Sequence, residues 1–236
     1  LALDTSTSAV TVAVCAIDAD PAETAAMTAI AEPVTVVAAQ REVAANRHGE
    51  LLAGLVGMVL ADAGVTPADL AAVAVGVGPG PFTGLRVGVV TAKAMGDALG
   101  VPVYGECSLR LFAAQPDRPE LDRIGVATDA RRRQVYWAVD DRSQCVAGPD
   151  IGTAEQAAEA FAAAGVQQVA GEGPQLYPEP FAGFEVLEDV YPSALTLAEL
   201  VAARVRTGAP SDDVTPMYLR RPDATPPGRP KRVTPA

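Results

Sequence analysis

The spacing of apolar positions along the chain predicts strands followed by helices, twice over. Leu1-Ala-Leu-Asp4 leads into the hydroxyl-rich Thr5-Ser-Thr-Ser8 and then into the apolar, β-branched run 9–17, which predicts a hairpin. Residues 18–33 are Ala-rich around Asp20-Pro21, a loop or weak extension, and 34–39 predicts a third strand. From 49 to 63, Leu51, Leu52, Leu55, Val56, Val59 and Leu60 recur at helical spacing, and Gly64 stands where a C-terminal glycine belongs. Residues 65–69 turn the chain, 70–77 read as a buried strand, and a second helix follows the glycine-rich 78–84 to about Leu99, closed by Gly100. The pattern starts afresh near Ser108. Strands are expected at 101–104, 124–128, 134–139 and 166–170, and helices at 153–164 and 195–205. The result is an α/β protein of two similar halves.

Composition narrows this picture by exclusion. A chain of 236 residues, 49% hydrophobic, can bury a real core as one large domain or two small ones. With 18 Lys plus Arg against 29 Asp plus Glu, the net charge of -11 argues against a surface that grips nucleic acid along its whole length. Local basic patches stay open; nearly all of the cations are arginine, and 5% aromatic residues leave few stacking platforms. Cys15, Cys107 and Cys145 are far apart and odd in number, so neither a disulfide framework nor a CxxC metal spacing follows. His48 is the only histidine, which excludes a zinc site built from two or three imidazoles and a metalloprotease of that kind. No signal peptide or long apolar run is read, so the cytoplasm is expected and no membrane partner, with a short leader missing before Leu1. The tail from Arg220 carries Arg220, Arg221, Arg229, Lys231 and Arg232 against Asp223, with several prolines, and is expected to be mobile.

Candidate chemistry is concentrated in a few places. Gly76-Val-Gly-Pro-Gly-Pro-Phe-Thr-Gly-Leu-Arg-Val-Gly88 lies between a strand and a helix, where backbone N–H groups and the helix dipole favour an anion. Gly78 and Gly80, around Pro79, allow close approach or positive φ, and Thr83 is positioned as an N-cap. No Gly-Lys-Ser/Thr or GxGxxG spacing is present, so phosphate binding and a structural tight turn both stay open. Asp4, Thr5 and Ser6 either face a metal–nucleotide or form an Asx or Ser/Thr turn. His48 precedes the first helix, but the i+4 position that a metal-binding helix needs is Leu52, so a capping, surface or interface role is expected. Asp129 with Arg131, Arg132 and Arg133 reads as a charged hairpin turn, solvated or set against an acidic partner or RNA. Both helices are apolar or small around most of their circumference, with Ala53, Gly57 and Ala61 on the first and Gly88, Ala92 and Gly96 on the second. A helix covering one sheet face needs a single apolar stripe, so the remainder is expected to meet a partner or the other helix.

Taken together, the opening Leu-Ala-Leu-Asp-Thr-Ser-Thr, the glycine-rich segment through Gly84 and Arg86, Asp129-Ala-Arg-Arg-Arg-Gln-Val-Tyr and Tyr218-Leu-Arg-Arg-Pro222 resemble the TsaB (YeaZ) family. The resemblance implies an actin/Hsp70/sugar-kinase type of fold with two lobes, at 1–107 and 108–192, a closing helix and segment at 193–219, and the basic tail 220–236. It also implies a non-catalytic dimerisation subunit that binds TsaD and supports formation of N6-threonylcarbamoyladenosine at position 37 of tRNAs reading ANN codons. TsaE, an ATPase, would join the complex, ATP and metal would sit on the partner subunits rather than on this chain, and tRNA would be met only indirectly. The helices at about 49–63 and 84–99 would pair with TsaD, or with a second copy when the chain is alone. His48, Leu51, Leu55 and Val59 would contribute from the first helix, and Val89, Val90, Lys93 and Asp97 from the second. Asp4, Thr5, Ser6, Gly78, Pro79, Gly80, Thr83, Gly84 and Arg86 would then be a vestigial nucleotide loop or part of an interface, and Arg131, Arg132, Arg133, Arg220 and Arg221 contacts for RNA or a partner. A nucleotide-binding phosphotransferase of the same fold is the alternative, opposed by the bulky arginines where such folds place a small phosphate turn.

Overall fold

A computed structural model describes residues 1–18, 34–113, 123–141 and 143–220; the tail beyond Arg220, with Arg221, and the loop expected across 19–33 lie outside the described residues. The first half comprises β1 (Ala2–Asp4), β2 (Ala9–Ala16), β3 (Thr35–Val43), α1 (His48–Asp62), β4 (Val73–Gly76), α2 (Phe82–Leu99) and β5 (Val103–Glu106). A short α3 (Arg110–Ala113) leads into β6 (Ile124–Asp129), β7 (Gln134–Asp140), β8 (Cys145–Thr153), α4 (Ala154–Ala163), β9 (Gln168–Ala170), α5 (Gly173–Leu176) and β10 (Glu185–Val186). The last helix, α6 (Ala194–Arg206), returns to the first sheet.

Both sheets share one plan. A three-strand antiparallel meander is extended beyond its first strand by two parallel strands, giving β3-β2-β1-β4-β5 and β8-β7-β6-β9-β10. In the first sheet the strand period of two separates side chains by size. Leu3, Val12, Val14, Val73 and Val75 pack with α1 and α2, whereas Ala2, Ala13, Ala72 and Ala74 pack with Leu197, Ala198 and Val201 of α6. Methyl-only positions let α6 lie close to the strands, and each fully buried Val or Leu contributes about 1.5–3 kcal/mol. In the second lobe Phe161 of α4 sits over Gly125, where an added Cβ would fall 2.7 Å from its ring, and Trp137, Phe181 and Phe184 surround it with centroids 6.0–6.1 Å away.

Helix ends follow local chemistry. Gly64 and Gly100 take positive φ (67° and 68°) after α1 and α2, and Thr153 with Gln156 forms a capping box on α4. Thr83 is not an N-cap: Pro81 holds that position, its fixed φ starting the helix at Phe82, and Thr83 lies within the first turn. β3 extends to Val43 rather than Ala39, and β4 begins at Val73 rather than Leu70. The nine-residue β8 was not expected from sequence. Its Gly148-Pro149 reads as a breaker, yet the strand sits at a sheet edge with register shifts, where glycine and proline are tolerated. Among the described residues no helix is long and apolar enough to cross a membrane.

Candidate functional site

The glycine-rich segment is moulded around the loop after β1. An added Cβ would fall 1.7 Å from Asp4 Oδ2 at Gly76, 2.3 Å from the Ser6 carbonyl oxygen at Gly80, 2.6 Å from the Thr5 carbonyl oxygen at Gly84 and 2.3 Å from Thr5 Oγ1 at Gly88. The fourfold spacing of these glycines is thus the footprint of residues 4–6. Thr5 Oγ1 donates to the Gly84 carbonyl at 2.8 Å. Gly78 has φ +95°, and its N–H donates to Ser108 Oγ at 3.0 Å.

Asp4 is buried and bonded within the chain. Its Oδ1 accepts from the Ser6 N–H (2.8 Å) and hydroxyl (2.7 Å), an Asx turn, and Oδ2 accepts from Ser108 Oγ (2.6 Å). Burial raises its pKa, an effect opposed by the hydrogen bonds from Ser108 and Ser6. A ligand reaching this carboxylate would have to displace those bonds. Ser108 carried no sequence signal; its role comes from topology, which brings the start of the second half to the end of β1.

His48 is buried rather than a surface residue. It is 7% exposed, and its Nε2–H donates to the Thr7 carbonyl at 2.8 Å, pinning α1 to the same loop. One turn on, Leu52 is 1% exposed in the core. The residues present do not fit a helix-borne metal site, and among the described residues no group of three or more His, Cys, Asp or Glu is placed to hold an ion.

The two lobes meet across this loop. Ser8 Oγ donates to Glu172 Oε1 at 2.5 Å, and Tyr136 Oη donates to the Gly80 carbonyl at 3.4 Å. Beside Tyr136 lies the β6–β7 turn, in which Arg131, Arg132 and Arg133 all take left-handed backbone, φ 62°, 55° and 58°. Asp129 pairs with Arg131 at 3.4 Å, and Arg220 donates to the Arg131 carbonyl at 3.3 Å and to the Gln134 side chain. At the start of α2, Phe82 stacks on Tyr218 (centroids 4.7 Å), and Arg86 Nε donates to Tyr218 Oη at 2.8 Å. The glycine-rich segment and the C-terminal segment are therefore one structural unit.

The helices divide the expected interface residues. Leu55, Val59 and Val89 are core residues, 3%, 0% and 3% exposed, and Leu51 is half-buried; they hold the helices to the sheet and are not free to meet another protein. Gly88 and Gly96 likewise allow close packing on Thr5 and Val103 of this chain, not on a partner helix. Val90 (63% exposed), Lys93 and Asp97 do face outward on α2. On α1 the outward positions are Ala53, Gly54, Gly57, Met58 and Ala61, with Met58 49% exposed and open space beyond Gly54 and Gly57.

Comparison with known proteins gives a consistent picture. The family model described as TsaD, tRNA N6-adenosine threonylcarbamoyltransferase, matches residues 34–203. An uncharacterized Mycobacterium bovis protein is 42% identical over 226 residues, 96% of this chain and 93% of its own length. An uncharacterized Mycobacterium leprae protein is 41% identical over 96% of this chain, which spans only 56% of that relative. The tRNA threonylcarbamoyladenosine biosynthesis protein TsaB of Escherichia coli is 32% identical over 109 residues, 46% of this chain and 47% of its own. A Pseudomonas aeruginosa crystal structure described as similar to peptidase YEAZ superposes with a TM-score of 0.70 at 26% identity, covering 92% of this chain and 97% of that one. The two mixed five-stranded sheets are those of the two-lobed actin/Hsp70/sugar-kinase type of fold.

Proposed function

The chain belongs to the TsaD/YeaZ-like family, tied to the making of threonylcarbamoyladenosine in tRNA, and from that premise we propose that it is a non-catalytic scaffold. In this reading it binds a TsaD-type catalytic subunit through the outward face of α1 and α2 and has no nucleotide chemistry of its own. A TsaE-type ATPase would join the assembly, ATP and metal would be held by the partners, and two copies of the chain would pair through the same face when the catalytic subunit is absent.

The observation that carries the proposal is the outward face itself. Ala53, Gly54, Gly57, Met58 and Ala61 of α1 and Val90 of α2 are small or apolar and exposed, with Lys93 and Asp97 also outward on α2, on two helices that pack against each other and already have their core. Small outward residues let a second helix pair come close, and Met58 and Val90 supply the apolar area that a stable interface needs. The loop geometry supports the absence of catalysis: Asp4 is committed to Ser6 and Ser108, the glycines to residues 4–6, and His48 to Thr7.

Co-purification with a TsaD-type subunit tests the reading. Met58→Glu and Val90→Glu should each weaken association by about 30-fold or more, the effect of losing a central anchor, with Tm unchanged because both residues are exposed. Association unaffected by both changes would refute the helix-face interface. Calorimetry with ATP and magnesium on the chain alone should give no heat of binding; turnover there would favour a phosphotransferase instead.

A further inference from the structure

A groove runs between the edge of the first sheet and the start of α6. It holds about 210 Å³ and is lined by Thr11 of β2, Arg41 of β3 and the residues that open α6. Along β2 the strand period of two puts Thr11 on the same side as Ala13, the side that α6 covers, so it faces the helix start across the groove. Thr11 is 5% exposed, and its hydroxyl has no hydrogen-bond partner among the described residues. Buried polar atoms are nearly always paired, so this one marks a bond that the chain alone leaves unmade.

Two further groups converge there. Arg41 stands directly opposite Thr11 in the antiparallel register, which puts both side chains on one face. Its guanidinium carbon lies 6.0 Å from the ring centroid of Tyr191, just ahead of α6, and among the described residues it pairs with no carboxylate. At the N-cap of α6, Ser193 Oγ accepts the Thr196 N–H at 3.2 Å, and the Ser193 carbonyl accepts the Leu197 N–H at 3.1 Å. The N–H groups of Ala194 and Leu195 are left pointing off the helix end. No acidic side chain occupies the first turn, so the positive end of this 13-residue helix is not compensated there.

The chemistry of the set selects the ligand. A guanidinium, two backbone N–H groups and a hydroxyl are donors, and no carboxylate lines the groove. An apolar guest would cover Arg41 and leave the Thr11 hydroxyl unpaired. A tetrahedral phosphate presents enough acceptor oxygens to meet guanidinium, helix start and hydroxyl at once, which the two oxygens of a carboxylate do less well. We propose that this groove binds a phosphate group, its oxygens accepting from the Arg41 guanidinium, the Ala194 and Leu195 N–H groups and the Thr11 hydroxyl. The site lies on the α6 side of the sheet, opposite α1 and α2, so it can fail while the scaffold reading stands.

The test is nuclear magnetic resonance of the isotope-labelled full chain, titrated with inorganic phosphate against chloride at constant ionic strength. Saturable shifts concentrated at Thr11, Arg41, Ala194 and Leu195 are expected, with roughly millimolar affinity. Arg41→Gln should weaken binding by about tenfold with Tm unchanged, since the side chain is exposed. Thr11→Val keeps the shape and removes the hydroxyl. It should weaken binding by about fivefold yet raise the Tm of the phosphate-free chain, because an unpaired polar atom is deleted. Val90→Glu should bind like the parent. Tighter binding of glycerol phosphate than of inorganic phosphate would assign the groove to a phosphomonoester, and the reverse order to free phosphate. The proposal is overturned if chloride produces the same shifts, if acetate binds as tightly as phosphate, if the shifts arise in the glycine-rich segment and not at α6, or if Arg41→Gln and Thr11→Val both keep full affinity.

Discussion

At Gly80 the space for a β-carbon is taken by the Ser6 backbone, and at Gly76 by the Asp4 carboxylate. Gly80→Ala must move backbone, so a loss of about 1–3 kcal/mol is expected by denaturant unfolding. A neutral outcome would show that residues 4–6 do not require the glycine. Glu172 gives a prediction in pH. Burial holds its carboxyl above the usual range, partly offset by the Ser8 hydrogen bond. The folded state then keeps the proton longer than the unfolded state does. The stability this contributes is complete below pH 4.5 and is lost as pH rises through the higher folded value. Relative to Glu172→Gln, which keeps the Ser8 bond without titrating, the parent should lose Tm over that window; parallel curves would contradict the assignment. Some of this was legible in sequence and some was not. The Asx turn at Asp4 follows from its residue types, but the spacing of the glycines could not say whether their neighbour is a ligand or the chain itself. That depends on Ser6 and Gly80 meeting from positions far apart in sequence.

At the scale of elements, periodicity found α1 and α2 to within about a residue at most ends. It failed to orient them. A helix that is apolar or small on most sides has no single stripe to point at the sheet, so Leu55, Val59 and Val89 could not be told from Met58 and Val90 before the strands were placed. The two sets should now separate experimentally. Leu55→Ala should cost about 2–5 kcal/mol in the isolated chain, whereas Val90→Glu should leave isolated stability nearly unchanged. Equal destabilisation by both would mean that α2 is more deeply packed than its 63% exposure at Val90 states. The β6–β7 turn offers the opposite test. Arg133→Gly should stabilise the chain by roughly 0.5–1 kcal/mol, because relief of left-handed strain (φ 58°) outweighs the entropy of a glycine, and a lower Tm would show that the arginine side chain anchors the turn.

Over the whole molecule, duplication is the organising feature. Each lobe repeats the same five-strand plan, and the lobes touch through Ser8 to Glu172 and Tyr136 to Gly80. On the reading proposed above, the two-lobed fold is kept and the outward faces of α1 and α2 carry the function. Amide hydrogen exchange of the full chain, alone and mixed with a TsaD-type catalytic subunit, tests that claim most directly. The account predicts that protection gained on mixing is concentrated in residues 48–62 and 82–99, with β6 to β10 unchanged. Protection confined to the second lobe, or none in α1 and α2 despite complex formation, would contradict it.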